Sequence, residues 1–407
     1  MRRLFIALAA LGVVSLLITA CSSSSSSSGT SASNSSSHGT VNVLAVVDTS
    51  GPNKTIGTGQ LAGIQAGAAY LNAHGGILGH TVAVTVADDN GDPTTGTTAL
   101  VQDLSSNPTK YTMIYGGEEG TIVSALVPVI ARYKVLAMAP NDGNDLCAKV
   151  STCPTEFALT GSNSVIEVAE ANWFKSHGYT NVGMIVEQIA FTQTEANYLK
   201  QDLAQDGIKS EIVGFPTSAT SLTPEMSELK SDGAQTVYAA AFGPPQGYIL
   251  NARPELSWQA PVMFEAAGSS LDIPALAPAS EMKDAYETPF YCDNPSVSVP
   301  GIGMLMQYAN DATYPVNGSL PCSLWGQGWD TMIALNAAAQ KAGSLDTAAL
   351  VKAMQETKVT TANGLIRDAA DCWTSTDHEN VCETPSDYAV QPVGSLVGGR
   401  LHPLASS

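Results

Sequence analysis

The sequence predicts an α/β chain built from two parallel sheets, each wrapped by helices. Short β-branched or apolar runs alternate with segments whose apolar residues recur at helical spacing, the pattern of a parallel sheet with helices on both faces. The alternation ends near Gly161 and restarts after it. Beyond a Ser-rich N-terminal stretch lie roughly 365 residues, enough for two domains that each bury a core.

In chain order, the run 41–47 predicts the first strand. A turn through Asp48, Ser50, Gly51 and Pro52 leads into a helix on which Leu61, Ile64, Ala68 and Leu71 share one face, ending at Gly75-Gly76. Strands over 81–87, 113–115 and 135–139 then alternate with helices over 97–104 and 122–133. After Gly161 come helix 165–177, strand 182–186, helix 194–206, strand 210–213, helix 223–232 and strand 236–241, with a further strand at 262–264. Residues 329–342 and 347–356 read as two more amphipathic helices, separated by Gly343. No solenoid period is present, so the repetition lies between two domains.

The N-terminus indicates the compartment. Arg2 and Arg3 precede an apolar run over 4–18, and Ile18-Thr19-Ala20-Cys21 resembles the cleavage site of a bacterial lipoprotein signal. A spanning helix needs roughly 20 apolar residues with stop-transfer flanks; this run is shorter and is followed at once by serines. Residues 1–20 are therefore read as a signal peptide, Cys21 as a lipidated N-terminus, and 21–40 as a tether too polar to order itself. Two or three acyl chains would hold the mature chain on the membrane, where one alone binds marginally. An ordinary secretory peptide is the competing reading, and Arg2-Arg3 leaves both the general and the twin-arginine export routes open.

Charge narrows the partners. The chain carries 18 Lys+Arg against 37 Asp+Glu, and loss of Arg2 and Arg3 with the signal leaves 16 against 37, or −21. Such a field opposes nucleic acid, and it would repel an anionic bilayer, so attachment must come from lipid. If Cys21 is lipidated, six cysteines remain: Cys147, Cys153, Cys292, Cys322, Cys372 and Cys382. An even remainder in an exported chain predicts three disulfides, and the short loops closed by 147–153 and 372–382 favour neighbour pairing. A metal site is the alternative, but no CxxC or HxxxH spacing supports it.

Ser50-Gly51-Pro52, then Gly57, Gly59 and Gly63, then Asn72-Ala73-His74-Gly75-Gly76-Ile77-Leu78-Gly79 and Asp89-Asn90-Gly91-Asp92-Pro93, occur in this order. Together with Ile114-Tyr115-Gly116, Ala139-Pro140 and Trp329-Asp330, they resemble the leucine/isoleucine/valine-binding protein family, the type I solute-binding proteins of ABC importers. The resemblance covers nearly the whole mature chain. It implies a type I periplasmic binding protein fold: two lobes joined by three crossings, with ligand in the cleft and hinge closure around it. The crossings are placed near 159–161, 285–288 and 366–371. Lobe 1 is then 41–160 plus 286–368 and lobe 2 is 161–285 plus 369–407, with 388–393 returning to lobe 2 as a strand.

Ligands of open parallel sheets sit at the carboxyl ends of strands, beside helix N-termini. The resemblance carries the family's ligand-binding positions onto Glu118, Glu119, Gly120, Asn141 and Gly143 in lobe 1. Hydroxyls expected at Gly120 and Gly143 are absent, so Thr121 or backbone N–H groups would take their place. Glu118, Glu119 and Asp142 make the loops anionic, which suits a cationic or amide-bearing ligand better than an aliphatic amino acid; solvated loop carboxylates are the alternative. In lobe 2 the resemblance selects the rings of Phe191 and Phe242, and Glu265 as the acid that receives a ligand ammonium.

Enzyme chemistry finds no support. Ser227-Glu228-Leu229-Lys230 has the SxxK form but lacks its partner motifs. The segment 88–93 imitates an EF-hand start, with Pro93 where glycine is required. There is no Walker A loop and no GxSxG. The chain is expected to be a monomeric, lipid-anchored extracytoplasmic binding protein without cofactor or metal, whose partners are a small molecule, an ABC permease and, through Cys21, the membrane. A surface sensing receptor of the same fold is the alternative, ahead of a secreted hydrolase.

Overall fold

The computed structural model describes residues 38–141, 145–266, 273–309, 316, 318 and 320–404. The signal, Cys21 and nearly all of the tether lie outside the described residues, as do Asp142 and Gly143.

The first sheet is parallel, in the order β2-β1-β3-β4-β5. Its strands are β1 (His38–Val47), β2 (His80–Asp88), β3 (Met113–Gly116), β4 (Leu136–Ala139) and β5 (Glu156–Ala158). Helices α1 (Lys54–Ala73), α2 (Pro93–Ser106) and α3 (Gly120–Tyr133) connect the first four. Alternate residues of β1 feed opposite cores, as the period of two requires: Val41, Val43, Ala45 and Val47 on one side, Leu44 and Val46 on the other.

The Asn-x-x-Gly-Gly-Ile-x-Gly segment that ends α1 acts through both its amide and its glycines. Asn72 accepts the Val82 N–H at 2.7 Å and donates to the Val82 carbonyl at 2.9 Å, pinning the helix end to β2. Gly75, Gly76 and Gly79 take φ of 95°, 75° and 83°, which other residues adopt only under strain.

The second sheet runs β13-β10-β9-β8-β6-β7. It comprises α4 (Asn163–Ser176), β6 (Asn181–Glu187), α5 (Ala190–Gln205), β7 (Lys209–Phe215), α6 (Thr223–Ser231), β8 (Thr236–Ala240), α7 (Pro244–Glu255), β9 (Val262–Phe264) and β10 (Ala285–Glu287). The chain then returns to the first sheet through α8 (Ile302–Ala309), α9 (Cys322–Ala342), α10 (Thr347–Glu356), β11 (Lys358–Val359) and β12 (Asp371–Cys372). Strand β13 (Gln391–Pro392) pairs antiparallel with β10, as expected of 388–393, and a hairpin of β14 (Gly394–Val397) and β15 (Arg400–Pro403) ends the fold.

Helix α9 begins seven residues before the expected 329, because Gly326 and Gly328 hid its first turns from a propensity reading. Those glycines serve packing: a Cβ at Gly63 would sit 1.8 Å from the Trp325 carbonyl, and one at Gly328 would sit 2.1 Å from that of Gln60. Helices α1 and α9 therefore cross in backbone contact.

All three expected disulfides form, Cys147–Cys153, Cys292–Cys322 and Cys372–Cys382, with Cα separations of 5.0, 5.5 and 5.5 Å. The third crossing lies later than 366–371. The loop closed by Cys372–Cys382 folds back on the edge of β5: the Ala158 N–H donates to the His378 carbonyl at 2.9 Å, and Trp373 Nε1 donates to the Ala158 carbonyl at 2.6 Å. Asn380 likewise donates to the Leu159 carbonyl at 2.9 Å. Residues 371–383 thus accompany the first sheet rather than the second, and the chain passes over only beyond Glu383. An exposed edge satisfied by a disulfide-closed loop leaves no periodicity to read.

Candidate functional site

The loop after β3 carries the first-sheet candidates. Gly117, with φ 92°, turns the chain so that Glu119 caps α3, its carboxylate accepting the Thr121 N–H at 3.2 Å. Gly120 is buried and Thr121 exposed in the first turn of α3. Glu118 points the other way. Its side chain is 2 % exposed, neither carboxyl oxygen has a partner of ordinary hydrogen-bond geometry among the described residues, and burial, followed by the neighbouring Asp89, pushes its pKa up to about 8. Burial and Asp89 both favour the neutral acid of Glu118, which lowers the charge of the loop below what its composition implies. Asn141, after β4, is half-buried, and its side-chain oxygen has no hydrogen-bond partner among the described residues.

Asp48, Asp88 and Asp89 bring three carboxylate oxygens within 4.8 Å of one another. Asp48 already accepts the N–H groups of Ser50 at 2.9 Å and Asn53 at 2.7 Å, and Asp88 those of Thr49 and Asn90. These carboxylates shape the turns into α1 and after β2. Cys292 and Cys322, which flank Asp293, are joined in a disulfide and offer no thiolate.

In the second sheet, Phe191 opens α5 and Phe242 follows β8. Their ring centroids stand 6.1 Å apart at 34°, and both are half-buried. The Phe242 N–H lies 3.3 Å from the Glu187 carboxylate, and the Thr192 hydroxyl donates to the Glu187 carbonyl at 2.6 Å. These bonds tie both ring-bearing segments to the end of β6. Glu265, 1 % exposed, directly follows β9, and its N–H donates to the Ala239 carbonyl at 3.2 Å.

Glu265 belongs to a cluster of four buried glutamates that act on one another, and the other three escaped the sequence reading. Glu167 and Glu170 occupy the inner face of α4, and Glu195 that of α5; all are at most 2 % exposed. Burial, and then mutual repulsion, raises the pKa of Glu167, Glu170 and Glu195 well above the carboxylate range. The Thr288 hydroxyl, just past β10, donates to Glu170 at 2.8 Å. Tyr238 of β8 faces the same side of the sheet as α4 and α5, and its hydroxyl feels all four carboxyls. From the first-sheet side, Asp145 accepts the Asn163 N–H at 2.8 Å and acts on Glu167. The available signal was the phase of α4, where Glu167 and Glu170 share a face with buried Ile166 and Ala169.

Two doubly wound sheets joined by chain crossings define the two-lobed architecture of a binding protein. The chain belongs to the periplasmic binding protein family, whose model matches residues 40–382. Among curated relatives, Leu/Ile/Val-binding protein homolog 1 of Brucella suis biovar 1 is 23% identical over 205 residues, 50% of this chain and 54% of the relative. The chain thus spans about half the length of the curated relatives it matches. The type 1 periplasmic binding protein of Bordetella pertussis Tohama I superposes with a TM-score of 0.71 at 17% identity, covering 90% of this chain and 100% of its own. A solute-binding protein of R. palustris, solved in complex with 4-hydroxybenzoate, superposes at 0.67 with 19% identity over 84% of this chain and 90% of its own. The last two likenesses are likenesses of fold.

Proposed function

We propose that this chain is a lipid-anchored extracytoplasmic solute-binding protein. It captures a small polar organic ligand bearing an amine or amide between its lobes and delivers it to an ABC importer. The observation that carries the ligand reading is the Phe191–Phe242 pair, two half-buried rings at the carboxyl end of the second sheet. Rings so placed cover a small organic molecule on closure, while Glu119, Gly120, Thr121 and Asn141 meet it from the first lobe. The names of the relatives support the class: one is a Leu/Ile/Val-binding homologue, another holds a hydroxybenzoate.

Calorimetry against amino acids, amides, ureas and aromatic acids tests this. A ligand bearing an amine or amide should bind, and Phe191→Ala or Phe242→Ala should each weaken it by about 1–3 kcal/mol, the worth of a buried aromatic face. Tight binding of a plain aliphatic acid, indifferent to both substitutions, would refute the cleft assignment.

Among the described residues no helix is long and apolar enough to cross a membrane, so attachment in this proposal rests on Cys21. Cys21→Ser should move the processed protein from the membrane fraction to the medium. Retention of that variant on membranes would remove the lipid anchor from the proposal.

A further inference from the structure

Beyond β13 the chain is fastened to both lobes within a few residues. The Val393 N–H donates to the Ala285 carbonyl at 2.9 Å and the Gly394 N–H to the Glu287 carboxylate at 2.9 Å, both on β10, while Val393 packs in the core of the second sheet. The hairpin of β14 and β15 then carries the chain to the first-sheet side. At its turn the Gly399 N–H donates to the Gly318 carbonyl at 2.8 Å, and the Gly399 carbonyl accepts the Cys322 N–H at 2.6 Å. That N–H belongs to the first turn of α9, where the helix has no acceptor of its own to offer. Arg400 Nη2 donates to the carbonyls of Asn294 at 2.7 Å and Val297 at 2.6 Å, just past Tyr291 and Cys292 of the first core, and the buried Asp293 feels its charge.

The turn is fitted to its place. Gly399 has φ 80°, and a Cβ there would sit 2.5 Å from Cζ2 of the buried Trp325, so the hairpin reaches α9 only with glycine at this position. Leu401, just past the turn, is 3 % exposed. The connection also has no slack. Strand β14 is extended backbone, at about 3.4 Å per residue against a limit of about 3.6 Å, and it cannot lengthen if its two ends are drawn apart.

We propose that the hairpin of β14 and β15 is a strap that limits how far the two lobes open. Its root moves with the second sheet and its turn with α9, so separation beyond the held distance requires the turn to come away from the helix. The bonds of Gly399 and Arg400 are the ones that must break. The three crossings are continuous chain and swivel without breaking any such contact, whereas the strap is a fourth link made by contact alone, one that can detach and reseat as a local opening. It sets the widest state that the ligand-free protein holds.

The test is a spin-label distance measurement on the full chain without ligand, with labels at Thr98→Cys on α2 and Lys200→Cys on α5, both exposed positions. The expected result is one narrow distance distribution in the labelled parent. It should broaden and move to longer distances in Arg400→Gln and in a chain ending at Val393. Hydrogen exchange at the Cys322 amide should also quicken about 10- to 100-fold in Arg400→Gln, as the loss of hydrogen bonds from a charged donor loosens the turn. Val397→Ser, at a position of the same hairpin that is 59 % exposed, should match the parent. Faster exchange with unchanged interlobe distances would reduce the hairpin to a cap on α9 and overturn the proposal, as would a parent distribution already as broad as that of the variants, or equal broadening in Val397→Ser. Arg400→Gln keeps Leu401 and the rest of the hairpin, and it decides alone if the shortened chain fails to fold. No ligand takes part, so failure here leaves the solute-binding reading standing.

Discussion

Arg367→Met is expected to lower unfolding stability by about 3–5 kcal/mol, the cost of stranding buried charges by removing one partner. Arg367 is 2 % exposed and pairs with Asp371 at 2.8 Å and with Glu383 at 2.5 Å. Its guanidinium also lies 4.0 Å from the centre of the Tyr291 ring. Without it, both carboxylates stay buried with no cation to offset them. The effect should spread, because Glu383 also accepts the Gly161 N–H at 2.6 Å and the Tyr388 hydroxyl, joining the first crossing to the third. Urea unfolding measures it, with Lys352→Met as the control. Lys352 pairs with Glu356 at an exposed i,i+4 position, and its loss should change stability by about 0.5 kcal/mol or less. Equal effects of the two substitutions would mean that the buried network does not hold the crossings.

Stability should fall, rather than rise, as pH climbs from about 4.5 to about 8. Burial pushes the pKa of Glu118 and of Asp330 up to about 8, and that of Asp293 up to about 7. The sign follows from proton counting. Between the unfolded pKa near 4 and these folded values, the unfolded chain ionises its carboxyls and the folded chain does not. The folded state therefore holds more protons, and raising pH favours unfolding until the folded groups titrate. A tenfold change in proton affinity is worth about 1.4 kcal/mol, so three such groups amount to several kcal/mol. Asp88, whose pKa is lowered by the hydroxyl and N–H groups it accepts, works in the opposite sense, and its contribution is lost only as pH falls below about 4. Thermal unfolding from pH 4.5 to 8 should show a descending melting temperature, with a shallower slope in Glu118→Gln. A rising profile over that range would show that these acids ionise in the folded protein.

Much of the fold was present in local pattern. The runs over 41–47, 182–186 and 236–241 became β1, β6 and β8, and the glycines after Asn72 marked the end of α1. Phe191 and Phe242 come from separate segments, and the structure sets their rings 6.1 Å apart at a 34° tilt. These features depend on neighbours in the chain: a period of two or of 3.6, a glycine where φ is positive, a cysteine with another a few residues away. Tertiary structure decided the rest. It turned Glu118 inward toward Asp89, held residues 371–383 against β5, and gathered Glu167, Glu170, Glu195 and Glu265 from three elements around Tyr238. A charge pattern does not state which carboxyls will be enclosed. Their protonation and partners follow from desolvation by residues distant in sequence, a quantity that exists only once the sheets and helices have packed.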